Sequence, residues 1–335
     1  MRKTTIFILI VFLASSCNKK QDNKAVRIYA EFEVLNNEFN YQGHELFVIN
    51  DKIVLCNFKD PQNFLYVFNK ENGEKLFSTG KIGYGVNEYA SPFVVKNKWN
   101  NYLFVYDLMG KTKQYFAVDS LKNNNDGFIK LSRKEDSIIR AKGYDIRLEE
   151  DLYIAFNSKK EDAPYRVYNN GLEKNFGEYI LKNEKEHFYP ATLYNPDKKL
   201  LVMSSGILDY LCCYKKEGDN FKLKWEKRHH YVYGKHNGSI VFDNSRVGSH
   251  GMTLTKDFIV TIQRDYENDR TSETAAMKDP KLLPQTVFVY DYDGTLRKII
   301  NYQTPISKIC GNENSNDIYA IFGAPDFKFG VTSIE

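Results

Sequence analysis

Long apolar runs are scarce in this sequence of 335 residues. The longest, Ile6 to Leu13, is eight residues, well short of the roughly twenty that cross a bilayer as a helix. A transmembrane anchor is therefore not expected. No segment shows a long, capped periodicity of 3.6 residues, so a helical domain is not expected either.

The first sixteen residues have the three-part layout of a secretory signal. Arg2 and Lys3 form a basic start, the apolar core follows, and residues 14–16 are small. The alternative is an ordinary signal whose apolar core happens to end near a cysteine. In both cases the protein is expected to be exported.

The stretch LASSC, residues 13–17, resembles the lipobox of bacterial lipoproteins, in which the cysteine is acylated and becomes the mature N-terminus. We therefore predict a signal peptide at 1–16, a lipidated Cys17 with a polar tether at 17–25, and one folded domain at 26–335. Acyl chains would anchor the protein to the bacterial cell envelope, at the outer membrane. The side of the membrane that it faces stays open.

Cysteine is also rare, with five in the chain. Apart from Cys17, the four cysteines form no C-x-x-C pair, and their wide spacing fits no zinc pattern. They are Cys56, Cys212, Cys213 and Cys310. We interpret them as small core residues. A long-range disulfide is the alternative in an exported protein.

Charge and motifs exclude several functions. The net charge is +4, and removal of the signal takes away two basic residues and no acid, leaving +2. That balance gives no reason to expect a nucleic-acid partner. The glycines of GKIGYGVNEY, residues 80–89, lack the dinucleotide-binding order, and neither a G-x-S-x-G elbow nor an H-E-x-x-H motif occurs.

Aromatic residues are abundant, at 15% of the chain, and they favour β-structure. Five segments share one plan, in which a short strand leads through a polar turn containing glycine to a second strand. They are LYVFNKENGEKLF (65–77), LFVYDLMGKTKQYF (103–116), YRVYNNGLEKNF (165–176), LCCYKKEGDNFKLKW (211–225) and VFVYDYDGTLRKII (287–300). The segment at 103–116 fits one strand earlier in its unit than the others.

Recurrence at about 40–50 residues, with about four strands per unit, is typical of propeller blades. We predict an all-β fold, a six-bladed β-propeller with four-stranded antiparallel blades. The last unit lacks an outer strand, and VRIYAEFEVLN (26–36) has no blade of its own, so we predict that this N-terminal strand closes the ring. A two-domain β-sandwich is the structural alternative.

The link STGKIGYGVNEYASPF (78–93) adds a resemblance to a family. Its glycines, the Glu-aromatic pair and the proline resemble the link between blades in TolB-like six-bladed propeller lipoproteins of the Bacteroidetes type. The matching residues are Gly83, Gly85, Glu88, Tyr89 and Pro92. The resemblance implies the fold but no activity, because most members have none established.

Two long insertions, residues 228–251 and 263–286, are expected on one face of the propeller, because links between blades and loops between second and third strands open on the same side. Long loops in compact domains are usually either functional or disordered. The candidate binding residues on this face are Tyr84, Glu88, Tyr89, His229, His230, Tyr231, Tyr233, His236, His250, Arg264, Asp265 and Arg270. Solvated charge is the simpler interpretation of the second insertion, and hydrogen-bonding histidines that of the first.

The leading hypothesis is a lipid-anchored propeller that binds an envelope protein or a glycan through its loop-rich face, without catalysis and without a cofactor. The alternative is a metal-dependent hydrolase or lyase with calcium or zinc in the central channel. A purely structural subunit of an envelope assembly is a third hypothesis. Residues at the axis cannot be recognised from sequence alone.

Overall fold

The structure is a computed structural model, and it describes residues 25–36, 39, 41, 43–85, 88–97, 102–109, 113–119, 127–131, 137–138, 146–157, 161–181, 190–228, 233–236, 239–242, 247–276 and 278–335. The predicted signal and Cys17 lie outside the described residues. Within the described part, no helix has both the length and the apolar character needed to cross a membrane.

Two short strands, β1 (Val26–Tyr29) and β2 (Glu33–Asn36), precede the first blade. Blade one contains β3 (Glu45–Ile49), β4 (Lys52–Cys56), β5 (Leu65–Asn69) and β6 (Lys75–Thr79). A short parallel pair, β7 (Lys81–Ile82) and β8 (Glu88–Tyr89), lies in the link to the next blade. Blade two contains β9 (Pro92–Asn97), β10 (Tyr102–Asp107), β11 (Lys113–Phe116) and β12 (Phe128–Lys130).

Blade three contains β13 (Ile146–Glu149), β14 (Leu152–Phe156), β15 (Tyr165–Asn169) and β16 (Leu172–Phe176). Blade four contains β17 (Ala191–Asn195), β18 (Leu200–Ser205), β19 (Tyr210–Glu217) and β20 (Asn220–Arg228). A separate hairpin follows, formed by β21 (Tyr233–His236) and β22 (Ser239–Phe242).

Blade five contains β23 (Gly251–Leu254), β24 (Phe258–Ile262), β25 (Thr286–Asp291) and β26 (Leu296–Asn301). Between its second and third strands lie the short helix α1 (Glu273–Ala276) and a 3-10 turn (Pro280–Leu282). Blade six contains β27 (Ile306–Gly311), β28 (Asp317–Phe322) and β29 (Lys328–Ser333), with β2 as its outer strand. Within the described residues the six predicted blades are therefore confirmed.

Local sequence explains the hairpins. The predicted turns need residues that tolerate positive φ, and in the turn between β15 and β16 both Asn170 (φ 49°) and Gly171 (φ 88°) have it. Two positive φ values in succession match the right-handed twist of the flanking strands. The segment at 103–116 forms β10 and β11, the second and third strands of its blade, as predicted.

Apolar clusters lie between neighbouring blades and close the ring. Each of the six clusters combines residues of two adjacent blades. The cluster between the last and first blades includes Ile321 of β28 and Leu55 of β4. Because each blade is covered on both faces, central strands such as β18 are buried throughout instead of alternating.

The N-terminal segment closes the ring in a way that the sequence did not resolve. The predicted single strand at 26–36 is two strands on neighbouring blades. β2 pairs antiparallel with β29 and completes blade six, which confirms the predicted closure. β1 instead pairs parallel with β26 and adds a fifth strand to blade five. Between them, the Phe32 ring stacks on Tyr302 and on Phe322, with centroids 4.1 Å and 4.7 Å away.

Candidate functional site

One face of the propeller contains both the links between blades and the loops between second and third strands, because successive strands alternate in direction. We call it the loop face; links such as 247–250 and loops such as 263–285 form it. The two long insertions meet here, where the Val247 N–H donates to the Tyr266 hydroxyl over 2.9 Å.

A cavity of about 500 Å³ opens on the loop face where blades five, six and one meet at the propeller axis. It is lined by Gly43, His44, Glu45, Phe58, Lys59, His250, Leu283, Ile306, Ser307 and Lys308. Most of these residues lie at the start of an inner strand, the strand of each blade nearest the axis. We call this space the axial cavity, and its volume is within the range of small-molecule sites.

His44 has one ring nitrogen fixed by the protein. The Phe58 N–H donates to Nδ1 over 3.1 Å, and the two rings pack with centroids 5.1 Å apart. Since Nδ1 is an acceptor, the neutral ring has its proton on Nε2, which has no partner in the described part of the chain. Burial lowers the pKa of His44, and the positive charges of Lys308 and Lys59 lower it further.

Glu45 and Lys308 come from the inner strands of blades one and six. Glu45 is open to water in the axial cavity, yet the surrounding protein is close enough that desolvation raises its pKa, an effect that the Lys308 ammonium partly opposes. No hydrogen bond or ion pair joins either side chain to another described residue. Both charged groups are therefore available to a ligand.

His250 is the residue before β23, and a buried carboxylate orients it. Its Nε2 lies 3.0 Å from Oε2 of Glu273, and its backbone N–H donates to the Ile262 carbonyl over 2.8 Å. A carboxylate only accepts, so Nε2 donates in this bond. Nδ1 has no hydrogen-bond partner among the described residues.

Glu273 itself is 1% exposed and lies at the centre of a charged network. Arg264 Nε donates to it over 2.7 Å, and the Tyr266 hydroxyl donates over 2.8 Å. Burial alone would raise the pKa of Glu273, but hydrogen bonds from His250, Arg264 and Tyr266 outweigh that effect and hold the pKa at about 2. Glu273 is thus ionised at every ordinary pH, and its position beside His250 is fixed.

An ion pair lies at the other end of the central channel. Lys96, near the end of β9 in blade two, is 3.0 Å from Glu313, in the turn after β27 of blade six. These blades are not neighbours, so the pair crosses the channel. Burial lowers the pKa of Lys96 to about 8, and the electrostatic effect of the nearby Cys310 thiol partly opposes that shift.

Three predicted site residues lie in the link between blades one and two. Tyr84 is 89% exposed on the loop face. Glu88 forms a 2.6 Å ion pair with Lys81 that holds the link together. Tyr89 is only 1% exposed, and its hydroxyl donates to Gln114 over 2.6 Å, so it belongs to the core and not to a binding surface.

The charged residues of the second insertion differ in their surroundings. Arg264 and Asp265 are 3% and 6% exposed, so for them the interpretation as solvated charge is wrong. Asp265 forms an ion pair with Arg27 of β1, which ties the N-terminal strand to this loop. Arg270 is exposed. The same insertion contains the short helix α1.

The histidine-rich first insertion is described only in part. His236 is exposed in β21, the strand that Tyr233 begins. His229, His230 and Tyr231 lie outside the described residues. Of the predicted residues that lie within the described part of the chain, His250 alone lines the axial cavity.

Five polar residues of the cavity wall were not predicted: His44, Glu45, Lys59, Ser307 and Lys308. His44 and Glu45 come directly before the apolar residues of β3, and Lys308 lies in β27. The sequence indicated them only as polar residues at the start of the inner strand of a blade. The sequence could not show which of these inner strands begin close together at the propeller axis.

No preformed site for a metal ion is found among the described residues. Among them, no three His, Cys, Asp or Glu side chains are placed to share one. The four cysteines at 56, 212, 213 and 310 are buried and free, which confirms the interpretation of small core residues.

No protein-family profile and no curated protein matches the chain. Among solved structures, it is similar to a gluconolactonase from Xanthomonas campestris, with a TM-score of 0.50, 9% identity, and 90% of this chain and 89% of that chain covered. It is also similar to a DUF4221 family member from Bacteroides vulgatus, with a TM-score of 0.48, 11% identity and coverage of 91% and 94%. At such low identity the first of these similarities supports the propeller fold alone, and neither says anything about activity.

Proposed function

We propose that this protein is a lipid-anchored cell-envelope propeller that binds a small ligand in the axial cavity on its loop face, without catalysis. The observation that supports this proposal best is the cavity wall. There the Glu45 and Lys308 side chains, which have no partners among the described residues, face an apolar side formed by residues such as Phe58. A pocket of this kind is the default location of a ligand. The exposed Tyr84 and Arg270 on the same face would serve a protein or glycan partner.

Ligand binding can be tested by filling the cavity. Leu283→Trp adds an indole to the cavity wall, whereas Leu172→Trp makes the same change at a position on blade three that is 51% exposed. We would screen neutral sugars, sugar acids and amino acids for a rise in Tm. Compounds that stabilise the wild type and Leu172→Trp, but not Leu283→Trp, are expected. No stabilising compound, or equal responses of both variants, would count against the proposal.

The lipid anchor rests on the lipobox-like LASSC. We expect cells that are fed an alkynyl fatty acid to label the wild type and a Ser16→Ala variant but not Cys17→Ala. The labelled protein should sediment with membranes. Equal labelling of all three proteins would overturn the assignment of Cys17 as the modified residue.

We also infer that the chain is of the TolB-like lipoprotein type. The link between blades one and two supports this inference, because its matching residues act together. The Gly85 N–H donates to Glu88 over 2.9 Å, and a side chain at Gly83 would collide with the same carboxylate. A comparison of further sequences would test whether Gly83, Gly85 and Glu88 occur together in other proteins of this type.

The second candidate is a metal-dependent hydrolase or lyase acting in the channel. His44, His250 and Glu45 share the axial cavity, which is the one observation in its favour. Elemental analysis of the purified protein tests it. Stoichiometric calcium or zinc that is lost in His44→Ala would support the enzyme over the binding protein.

A further inference from the structure

Positive charge predominates in the axial cavity. Lys59 and Lys308 supply two ammonium groups to its wall, and Glu45 supplies the one carboxylate among its lining residues. A concave site with one predominant sign of charge concentrates ligands of the opposite sign.

Lys308 is the group best placed to hold an anion. It is half-buried, and no carboxylate of the described residues forms an ion pair with it. A half-buried ammonium without a counter-ion in the described chain can pair with an anionic ligand through charge-assisted hydrogen bonds.

The rest of the wall suits an organic anion better than an inorganic one. The Nε2–H of neutral His44 is a further donor without a partner in the described chain. Phe58, Leu283 and Ile306 form an apolar side that a hydrated inorganic ion would not use.

We propose that the axial cavity binds a small organic carboxylate, held by Lys308, Lys59 and His44 with its apolar part against Phe58, and that binding takes up a proton at Glu45 or His44. This inference rests on the proposed function and names the ligand class of the same site. No covalent step is involved.

The charged groups around Glu45 and His44 explain why ligand binding should take up a proton. Glu45 faces Lys308 across the cavity and Cys56 on β4, and His44 faces Lys308 and Lys59. His250, the remaining titratable group of the wall besides the lysines, is hydrogen-bonded to Glu273. The pKa of Glu45 is already raised and that of His44 lowered. A bound carboxylate raises both pKa values, so affinity should increase as the pH falls.

Benzoate and benzamide are suitable probes, because they have nearly the same shape and differ in charge. We would titrate the purified domain, residues 25–335, with each probe and measure Kd by ligand-observed NMR. At about pH 6 the Kd of benzoate should be at least about tenfold lower than that of benzamide. Between about pH 8 and pH 5.5, benzoate affinity should rise while benzamide affinity stays constant.

Two variants, together with one control variant, test which side chains hold the anion and which one takes up the proton. Lys308→Met should abolish the preference for benzoate, whereas Lys256→Met, which removes an exposed ammonium on the opposite face, should leave it unchanged. Glu45→Gln should strengthen benzoate binding at about pH 8 and flatten the pH dependence, because the opposing charge is gone. If Glu45 only supported the structure, Glu45→Gln would not increase the affinity for benzoate.

The outcomes separate this inference from the proposed function. Equal Kd values for the two probes would overturn the anion preference and leave ligand binding intact. If neither probe binds while a neutral compound stabilises the wild type but not Leu283→Trp, the inference is wrong and the proposed function stands. If Leu283→Trp weakens the binding of no compound, both the inference and the proposed function are wrong.

Discussion

At the scale of single residues, the loop after β24 contains an arginine and a glutamate that are buried together. The Arg264 and Glu273 side chains are each 1% exposed and joined over 2.7 Å. Such a pair adds little over an apolar pair, but the loss of Glu273 would leave the buried Arg264 charge with only Asp269 and the Leu282 carbonyl as partners. This network fixes His250 at the cavity wall.

Removing the buried carboxylate should therefore destabilise the protein strongly. We expect Glu273→Ala to lower the free energy of unfolding in urea by about 3–5 kcal/mol, because Arg264 loses its main partner. Glu74→Ala, the same change at an exposed position in the turn between β5 and β6, should lower it by less than about 0.5 kcal/mol. Similar losses in the two variants would show that the network does not stabilise the fold.

The same carboxylate predicts a dependence on pH. The pKa of Glu273 is about 2 in the folded protein, below its usual 4.5, so its stabilising contribution is complete above pH 4.5 and is lost as the pH falls towards 2. We expect the wild type to lose about 3 kcal/mol over this range through this group. Glu273→Gln should lack that part of the acid sensitivity. Urea unfolding curves of both proteins at several pH values between 5 and 2 measure this difference. If the wild type and Glu273→Gln lose stability in parallel as the pH falls, the assignment is wrong.

Thiol reactivity tests the state of the four described cysteines. Burial raises the pKa of Cys212 and of Cys213 to about 12, and raises those of Cys56 and Cys310 as well. Because the thiolate is the reactive form, a domain beginning at residue 25 should not react with a thiol reagent until it unfolds, and should then show four thiols. Tyr84→Cys, at an exposed position, should react at once. Two thiols or none after unfolding would indicate disulfides.

At the scale of elements, the two N-terminal strands join the last two blades. β1 extends blade five, β2 completes blade six, and Phe32 between them is 7% exposed. Its ring fills the space between Tyr302 and Phe322. The segment therefore contributes packing as well as backbone hydrogen bonds to the closure of the ring.

Truncation of the Phe32 side chain should weaken the closure of the propeller between blades five and six. We expect Phe32→Ala to cost about 3 kcal/mol, because it leaves a cavity between blades five and six. Phe93→Ala, at a site on β9 that is 40% exposed, should cost about 1 kcal/mol or less. Thermal or urea unfolding measures both. A smaller loss in Phe32→Ala than in Phe93→Ala would contradict the proposed closure.

At the scale of the whole molecule, closure places residues from distant parts of the chain on one axis. His44, His250 and Lys308 meet at the loop face, and Lys96 meets Glu313 at the opposite end. None of these contacts is within one blade. The ring therefore builds the axial cavity and also links blades two and six across the channel.

A double-mutant cycle on Lys96→Met and Glu313→Gln measures this link. Both side chains are mostly buried, so we expect a coupling free energy of about 1–2 kcal/mol. The exposed pair Lys222 and Glu217, 2.6 Å apart, should show about 0.5 kcal/mol or less. Equal coupling in the two pairs would mean that the channel pair adds nothing beyond a surface ion pair.

Sequence patterns predicted the hairpins well because their causes are local. The turn at Asn170 and Gly171, and the apolar run of β18, can be recognised without knowledge of any other blade. The burial of Tyr89 and Arg264 was missed, because an aromatic or charged residue in a loop has the same appearance in sequence whether its partner covers it or not. For Arg264 the partner is Glu273, nine positions away, and sequence spacing outside a regular helix does not show such a contact.

The sequence by itself determined the strands, their turns, the number of blades and the need for an N-terminal strand to close the ring. These features depend on side-chain alternation and turn chemistry over a few residues. Only the tertiary structure decided that Glu45 and Lys308 share a cavity and that residues 26–36 divide between two blades. Those features depend on how six sheets pack around one axis, and that packing is the sum of contacts between residues far apart in the chain.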